Sequence, residues 1–189
     1  MYNQNNNFIN RCITLRQFHL FNILRRLWME HVMWTRSFLI STASDLDDLE
    51  AVTNRLLRNP KDFAEVLRPL YGDRYSMEFK NLFTDHLLIA GALVNAAKAG
   101  DTKTVDEQRK KWYANADDIA NLLGNMNPYW SKRVWKELLD EHLKMTENEA
   151  VQILTGQYEA SINQYDEIEQ QALLMADEMA YGIINQFHI

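Results

Sequence analysis

The clearest helical signal in this chain lies in residues 20–38, LFNILRRLWMEHVMWTRSF. Apolar side chains recur there at spacings of three and four residues, which places them on one face of an amphipathic helix. That face comprises Leu20, Leu24, Leu27, Trp28, His31, Trp34 and Phe38. We therefore predict one long helix from about Thr14 to Ile40, with a histidine on its buried side.

The rest of the chain favours further long helices. Its 189 residues include only six glycines and three prolines, and 47% of them are hydrophobic, which is enough to bury a core within one domain. We predict an all-α fold, a six-helix bundle with ferritin-like or similar up-down packing over residues 14–189, after a disordered leader over residues 1–13. The later helices are expected at residues 44–69 with a restart at Asn59-Pro60, from Gly72 to Gly100, at 102–123, at 129–145, and from a capping box at Thr146 to about residue 187 with an interruption at Gly156.

Charge is unevenly distributed along the chain. Residues 1–43 hold five arginines and one acid, whereas residues 137–189 hold eleven acids and one lysine, within a net charge of −6. We expect the first and last helices to lie side by side and attract one another, the alternative being a separate basic docking surface. An acidic chain with no basic stripe is not expected to bind nucleic acid.

The remaining composition bears on the location of the protein. No run of eighteen apolar residues occurs, so no membrane span is expected. Cys12 is the single cysteine and cannot form an intramolecular disulfide, so a cytoplasmic protein is the simplest expectation. The sequence does not identify a partner, and a homodimer is one possibility.

A short phrase around a histidine recurs on three predicted helices. The copies are Leu27-Trp-Met-Glu30-His31, Leu82-Phe-Thr-Asp85-His86 and Leu138-Leu-Asp-Glu141-His142, and they follow one another at nearly equal intervals. The partner helices carry Asn59-x-x-Asp62 and Asn115-x-x-Asp118, offset by the interval that separates His86 from His142, and a weaker echo at Glu178 falls slightly later than that interval would place it. This regular spacing predicts three related helical hairpins, with chance resemblance as the alternative.

The recurring histidines predict a site for a divalent metal or a small ligand at the centre of the bundle. His31, His86 and His142 each lie in an apolar stripe and should point inward. The acid before each histidine is rotated by about 100° around the helix and reaches only the edge of the core. If the three helices meet, the imidazoles could converge with carboxylates on an ion such as iron, zinc or manganese. The candidate carboxylates are Glu30, Asp85, Glu141, Asp62, Asp118 and Glu178.

A structural role is the alternative. A core histidine that is hydrogen-bonded to a carboxylate or a backbone carbonyl is an ordinary way to satisfy a buried polar group. The protein would then act through its surface, in structure or protein interaction. An enzyme is less expected, because the six glycines are never closer than nine residues and cannot form a phosphate-cradling loop. Neither a nucleotide cofactor nor kinase activity is therefore expected.

The helix around His31 carries a family resemblance. Its phrase WMEHVMWTRSF, residues 28–38, resembles the Glu-His helix of bacterial ferritin-like and haemerythrin-like bundles, which implies a helical bundle around a metal. The sequence departs from the ferritin di-iron pattern because it contains no Glu-x-x-His. The chain also looks like a group of small helical proteins from spore-forming bacteria that carry an acetylglutamate kinase label, an activity that its glycine spacing argues against.

Overall fold

The computed structural model describes residues 13–189. The leader predicted for residues 1–13 therefore lies almost entirely outside the described residues, as does Cys12. The described part is all-α, as predicted, and contains no strand. Its helices are α1 (Leu15–Ala43), α2 (Leu49–Ala99), α3 (Thr102–Met126), α4 (Lys132–Leu154) and α5 (Tyr158–Phe187).

The structure has five helices and not the predicted six, because two helical segments that meet at a kink at Gly72 form one span, residues 49–99. Pro60 and Pro69 lie inside α2 without ending it, although each proline removes one backbone hydrogen bond. The span bends at Gly72, where φ is 75° and ψ is 176°. A positive φ is readily adopted only by glycine, so the bend falls there and not at either proline.

The first helix begins where the sequence predicts. The Thr14 side chain accepts a hydrogen bond from the Gln17 backbone N–H at 3.2 Å, and the Gln17 side chain accepts one from the Thr14 N–H at 2.9 Å. This reciprocal capping box satisfies two amide groups that the helix itself leaves unpaired. Gly100, with φ of 72°, ends α2 as predicted.

The predicted boundary at Thr146 is wrong. Thr146 and Glu149 are both buried within α4, and the Glu149 carboxylate accepts a hydrogen bond from Arg36 on α1. The chain breaks at Gly156, where φ is 74° and where the sequence predicts an interruption. The apparent capping box failed because its acid serves a tertiary contact instead of the start of a helix.

The five helices pack around a shared aromatic core. α1 lies between α2 and α5, α3 lies between α2 and α4, and α4 also packs on α5. The fully buried aromatic side chains of this core are Trp28, Phe63, Phe79, Phe83, Trp130 and Trp135. Arg25 of α1 binds both carboxylate oxygens of Asp177 of α5, at 2.7 and 2.6 Å. The prediction that the basic first helix lies beside the acidic last one is confirmed.

Across residues 13–189, no helix combines the length and the apolar character needed to cross a lipid bilayer.

Candidate functional site

Three histidines meet in the centre of the core. His31 of α1, His86 of α2 and His142 of α4 are 2%, 2% and 3% exposed. The ring centroid of His31 lies 6.2 Å from that of His86 and 5.5 Å from that of His142. The predicted inward orientation of the three side chains is therefore confirmed, and three helices distant in sequence bring them together.

Side-chain amides hold two of these rings. His86 Nδ1 lies 3.2 Å from Asn115 Oδ1, and the Asn115 amide nitrogen donates to the Leu82 carbonyl at 3.0 Å. His142 Nδ1 lies 3.1 Å from Gln171 Oε1, and the Gln171 amide nitrogen donates to the Leu138 carbonyl at 2.6 Å. In both cases the amide joins a histidine to the carbonyl four residues before it on the same helix.

The direction of these hydrogen bonds fixes the histidine tautomer. A backbone carbonyl only accepts, so the NH₂ of Asn115 must face Leu82 and its oxygen must face His86. His86 Nδ1 must then carry the proton, and the same reasoning applies to His142 and Gln171. Each Nε2 is left as an unprotonated lone pair. Within residues 13–189, no hydrogen bond reaches Nε2 of His31, His86 or His142.

His31 also has an amide beside it, Asn59, but the hydrogen bond between the two side chains is not formed. Asn59 donates its amide nitrogen to the Leu27 carbonyl at 3.0 Å, as its counterparts do. Asn59 Oδ1 and His31 Nδ1 are both buried and have no hydrogen-bond partner. A buried donor and a buried acceptor left unpaired each cost about 1–3 kcal/mol. A small movement of the His31 ring toward Asn59 would remove both penalties.

The histidine cluster lies in an aromatic environment. The Phe83 ring stacks on His31 at 4.9 Å and on His86 at 5.8 Å, while Trp28 meets His31 edge-on at 5.8 Å. Burial lowers the pKa of all three histidines, to about 3 for His86 and about 4 for His142, and well below 6.5 for His31. Nearby histidines lower the pKa values of His31 and His86 further. All three imidazoles are therefore neutral at pH 7.

The carboxylates proposed from sequence do not join the imidazoles. Glu30 binds Arg55 at 2.9 Å, and Asp62 binds Arg58 at 3.0 Å. Glu178 is half-buried, and burial raises its pKa. The exposed members are Asp85, Asp118 and Glu141. Among the residues that the structure describes, no group of three or more His, Cys, Asp or Glu side chains is placed so that it could hold a metal ion.

The amides at the site were not predicted from the sequence. Asn59 and Asn115 belong to the recurring phrase of the partner helices, but only the acids three residues later were expected to act as ligands. Gln171 follows Asn115 at the same interval that separates Asn115 from Asn59. The structure forms this contact through Gln171, and not at Glu178, where the weaker third copy of the phrase was placed. Strict application of that interval would have found Gln171.

A second buried polar group lies nearer the turn between α4 and α5. Arg36 donates hydrogen bonds to Glu149 and to the Ser161 carbonyl, the latter at 3.1 Å, and its guanidinium lies 4.9 Å from the Tyr165 ring centroid. Burial raises the pKa of Glu149 to about 7, although Arg36 acts in the opposite direction. This pair joins α1 to α4 and α5.

No family model, curated protein or solved structure matches this chain.

Proposed function

We propose that this protein binds one transition-metal ion through Nε2 of His31, His86 and His142. The observation that carries the proposal is the pair of amide contacts that place a proton on Nδ1 and leave a lone pair on Nε2. With His31 in the same tautomer as His86 and His142, the three Nε2 atoms cannot hydrogen-bond to one another, because none of them carries a proton. A metal ion would accept the lone pairs of all three nitrogens at once.

The distances of His86 and His142 from His31 are close to those expected around a shared ion. With metal–nitrogen bonds of about 2.0–2.1 Å, three imidazoles on one tetrahedral ion have centroids about 5–5.5 Å apart. The observed separations from His31 are 5.5 and 6.2 Å. The His86 ring therefore needs to approach the His31 ring by less than about 1 Å to reach this separation.

The surroundings of the ligands also support the proposal. A metal-binding histidine usually donates its other ring N–H to a fixed acceptor, which orients the ring and fixes its tautomer. Asn115 and Gln171 already accept such a hydrogen bond, and Asn59 offers the same acceptor to His31. Binding of an ion would favour the His31 rotation that closes the last contact.

The donor set favours zinc or copper over manganese. Imidazole nitrogens suit zinc and copper, whereas manganese prefers carboxylate and water oxygens. The nearby acids Glu30 and Asp62 are engaged by Arg55 and Arg58. The sequence expectation of iron, zinc or manganese bound by histidine and carboxylate is thereby narrowed to an ion bound by three nitrogens.

Zinc titration of metal-depleted protein tests the proposal. We expect one zinc ion per chain, and about 2.7 kcal/mol of stabilisation when free zinc exceeds the Kd 100-fold. Substitution of His86 by Gln should abolish both effects, whereas substitution of His19, which is exposed, should change neither. Asn115→Ala should weaken zinc binding by about 10–100-fold, because it removes the group that orients His86. Equal zinc binding by the wild type and His86→Gln would refute the site.

The second candidate is a structural or interaction protein whose histidines only stabilise the core. It is supported by the satisfied Nδ1 atoms of His86 and His142 and by the lack of a preformed three-ligand group in the described residues. This interpretation predicts no zinc uptake and no effect of a chelator on the melting temperature of protein as purified. The two candidates therefore give opposite results in the same titration.

We also infer that the three hairpins are copies of one ancestral unit. The support is the shared arrangement of histidine, amide and carbonyl, with 29 residues from His86 to Asn115 and from His142 to Gln171. Pairwise superposition of residues 15–71, 73–126 and 132–187 in an experimental structure tests this origin. Copies of one unit should place the three histidines at equivalent positions, and hairpins of unrelated geometry would exclude it.

A further inference from the structure

A small cavity lies one helical turn beyond the three histidines. Thr35, Ala90 and Thr146 contribute to its wall, and each follows one of the histidines by four residues. Four helical residues correspond to about 6 Å along the axis. The cavity offers about 20 Å³ to the centre of a water-sized molecule. It therefore has room for one very small molecule beside the imidazole cluster.

The cavity exists because small residues meet between two parts of the core. Phe38, Leu87 and Ala150 belong to a smaller apolar cluster, while Leu93 and Trp112 belong to the main one, and all five line the cavity. Gly91 and Ala150 leave the space open.

The walls favour an apolar molecule over water. A buried water needs two to four polar partners, but the lining is almost wholly apolar. The Thr35 hydroxyl already donates to the His31 carbonyl at 2.8 Å. The acidic side chain in the lining, Glu147, accepts a hydrogen bond from Arg109 at 2.8 Å. The Trp112 indole N–H has no hydrogen-bond partner, but polar atoms contribute almost none of the cavity wall.

We propose that this cavity binds one small uncharged apolar molecule, of the size of dioxygen or carbon monoxide, next to the three-histidine cluster. The binding itself needs no metal, so the inference goes beyond the proposed function. The histidines lie one helical turn away and do not line the cavity.

Xenon is a suitable probe because it is small, apolar and chemically inert. We expect dissolved xenon to cause saturable NMR shifts of Ala90, Gly91 and Trp112 in the wild-type protein. Ala150→Val adds two methyl groups to the cavity wall and should reduce xenon affinity at least tenfold. Ala92→Val changes an exposed alanine on α2 and should leave xenon binding unchanged.

Gly91→Ala is a second filled variant, which keeps the test decisive if Ala150→Val does not fold. Gly91→Ala places its Cβ 3.5 Å from Phe38 Cζ, an ordinary contact, and should also weaken xenon binding. Shifts that do not saturate, or equal affinity in the wild type and both filled variants, would overturn the proposal. Zinc uptake measured on the same samples separates the two proposals: zinc binding without xenon binding refutes only the cavity, and xenon binding without zinc binding refutes only the metal site.

Discussion

Asn115 connects the His86 ring to the backbone of the same helix, because its amide lies 3.2 Å from His86 Nδ1 and donates to the Leu82 carbonyl at 3.0 Å. The Asn115 side chain of α3 thus forms hydrogen bonds to a buried ring nitrogen and to a backbone carbonyl, both of α2. Gln171 forms the equivalent connection between α5 and α4. These amides set the orientation of the imidazoles from outside the cluster.

Removal of the Asn115 amide should destabilise the core. Asn115→Ala leaves the His86 Nδ1–H without an acceptor and removes a donor from Leu82, so we expect a loss of about 2–3 kcal/mol in the free energy of unfolding. Asn121→Ala, an exposed change on the same helix, should cost less than about 0.5 kcal/mol. Urea denaturation measures both.

The tautomer of His86 gives an independent readout of the same contact. In the wild type, ¹⁵N chemical shifts should report a protonated Nδ1 and an unprotonated Nε2. In Asn115→Ala the two tautomers should both be populated, because nothing selects one of them. A wild-type His86 protonated at Nε2 would contradict the assigned direction of the Asn115 amide.

The sequence predicted the helices and the inward histidines because both depend on local periodicity. His31, His86 and His142 each fall in a stripe with three- and four-residue spacing, and helix geometry alone turns them inward. The partners of the histidines depend on how far an outer helix is rotated, which no local pattern states. Asn115 and Asp118 are three residues apart, and only the packing of α3 on α2 decides that the amide faces the core.

The helix boundary predicted at Thr146 is wrong for a related reason, although α4 and α5 do separate at Gly156, where an interruption was predicted. Thr146 and Glu149 have the spacing of a capping box, but the same carboxylate can serve a tertiary contact. The Arg36 guanidinium, more than a hundred residues away, binds Glu149. Gly156 ends the helix without a tertiary contact, because glycine adopts a positive φ more readily than other residues do.

Acid should destabilise the protein through its neutral histidines. The pKa is about 3 for His86 and about 4 for His142 in the fold, against about 6.5 in the unfolded chain. The unfolded state therefore binds more protons between these values, and stability falls as pH drops from about 6.5 toward 4. Each histidine contributes up to about 1.4 kcal/mol per pH unit.

Glu149 opposes this trend and must be separated from it. Its raised pKa of about 7 means that the folded state binds the extra proton between about 4.5 and 7, so this carboxyl favours stability on acidification. Glu149→Gln should therefore make the fall in stability from pH 7 to pH 5 steeper, and His86→Gln should make it shallower. Urea denaturation at pH 7, 6 and 5 checks both. A Glu149→Gln variant with pH-independent stability would exclude buried neutral histidines.

Two glycines should respond oppositely to alanine. Gly91→Ala places its Cβ at an ordinary 3.5 Å from Phe38 Cζ, so it should stabilise the protein by about 0.5–1 kcal/mol through lower backbone entropy in the unfolded chain. Gly182→Ala would overlap the indole of Trp130, which is 2% exposed. It should destabilise the protein by about 1–3 kcal/mol. Thermal unfolding of both variants compares them, and equal effects would contradict the close approach of α5 to Trp130.

Removal of one member of the Arg36–Glu149 pair should destabilise the protein more than replacement of both members by apolar residues. Glu149 is 1% exposed, while the Arg36 side chain is 19% exposed, so removal of the carboxylate leaves a largely buried guanidinium without its anion. Loss of one partner of a fully buried pair costs about 3–5 kcal/mol, and the partial exposure of Arg36 lowers our expectation for Glu149→Leu to about 2–3 kcal/mol. Leucine suits the position sterically, since Leu93 follows His86 by the same seven residues that separate Glu149 from His142.

The double variant Arg36→Met and Glu149→Leu removes both charges together. Because no unpaired charge then remains in the core, its stability should lie within about 1–2 kcal/mol of the wild type and above that of Glu149→Leu alone. A double-mutant cycle measured by urea denaturation gives the coupling between the two residues. Strict additivity of the two single changes would show that the pair contributes no interaction of its own, and that Arg36 is held instead by the Ser161 carbonyl and the Tyr165 ring.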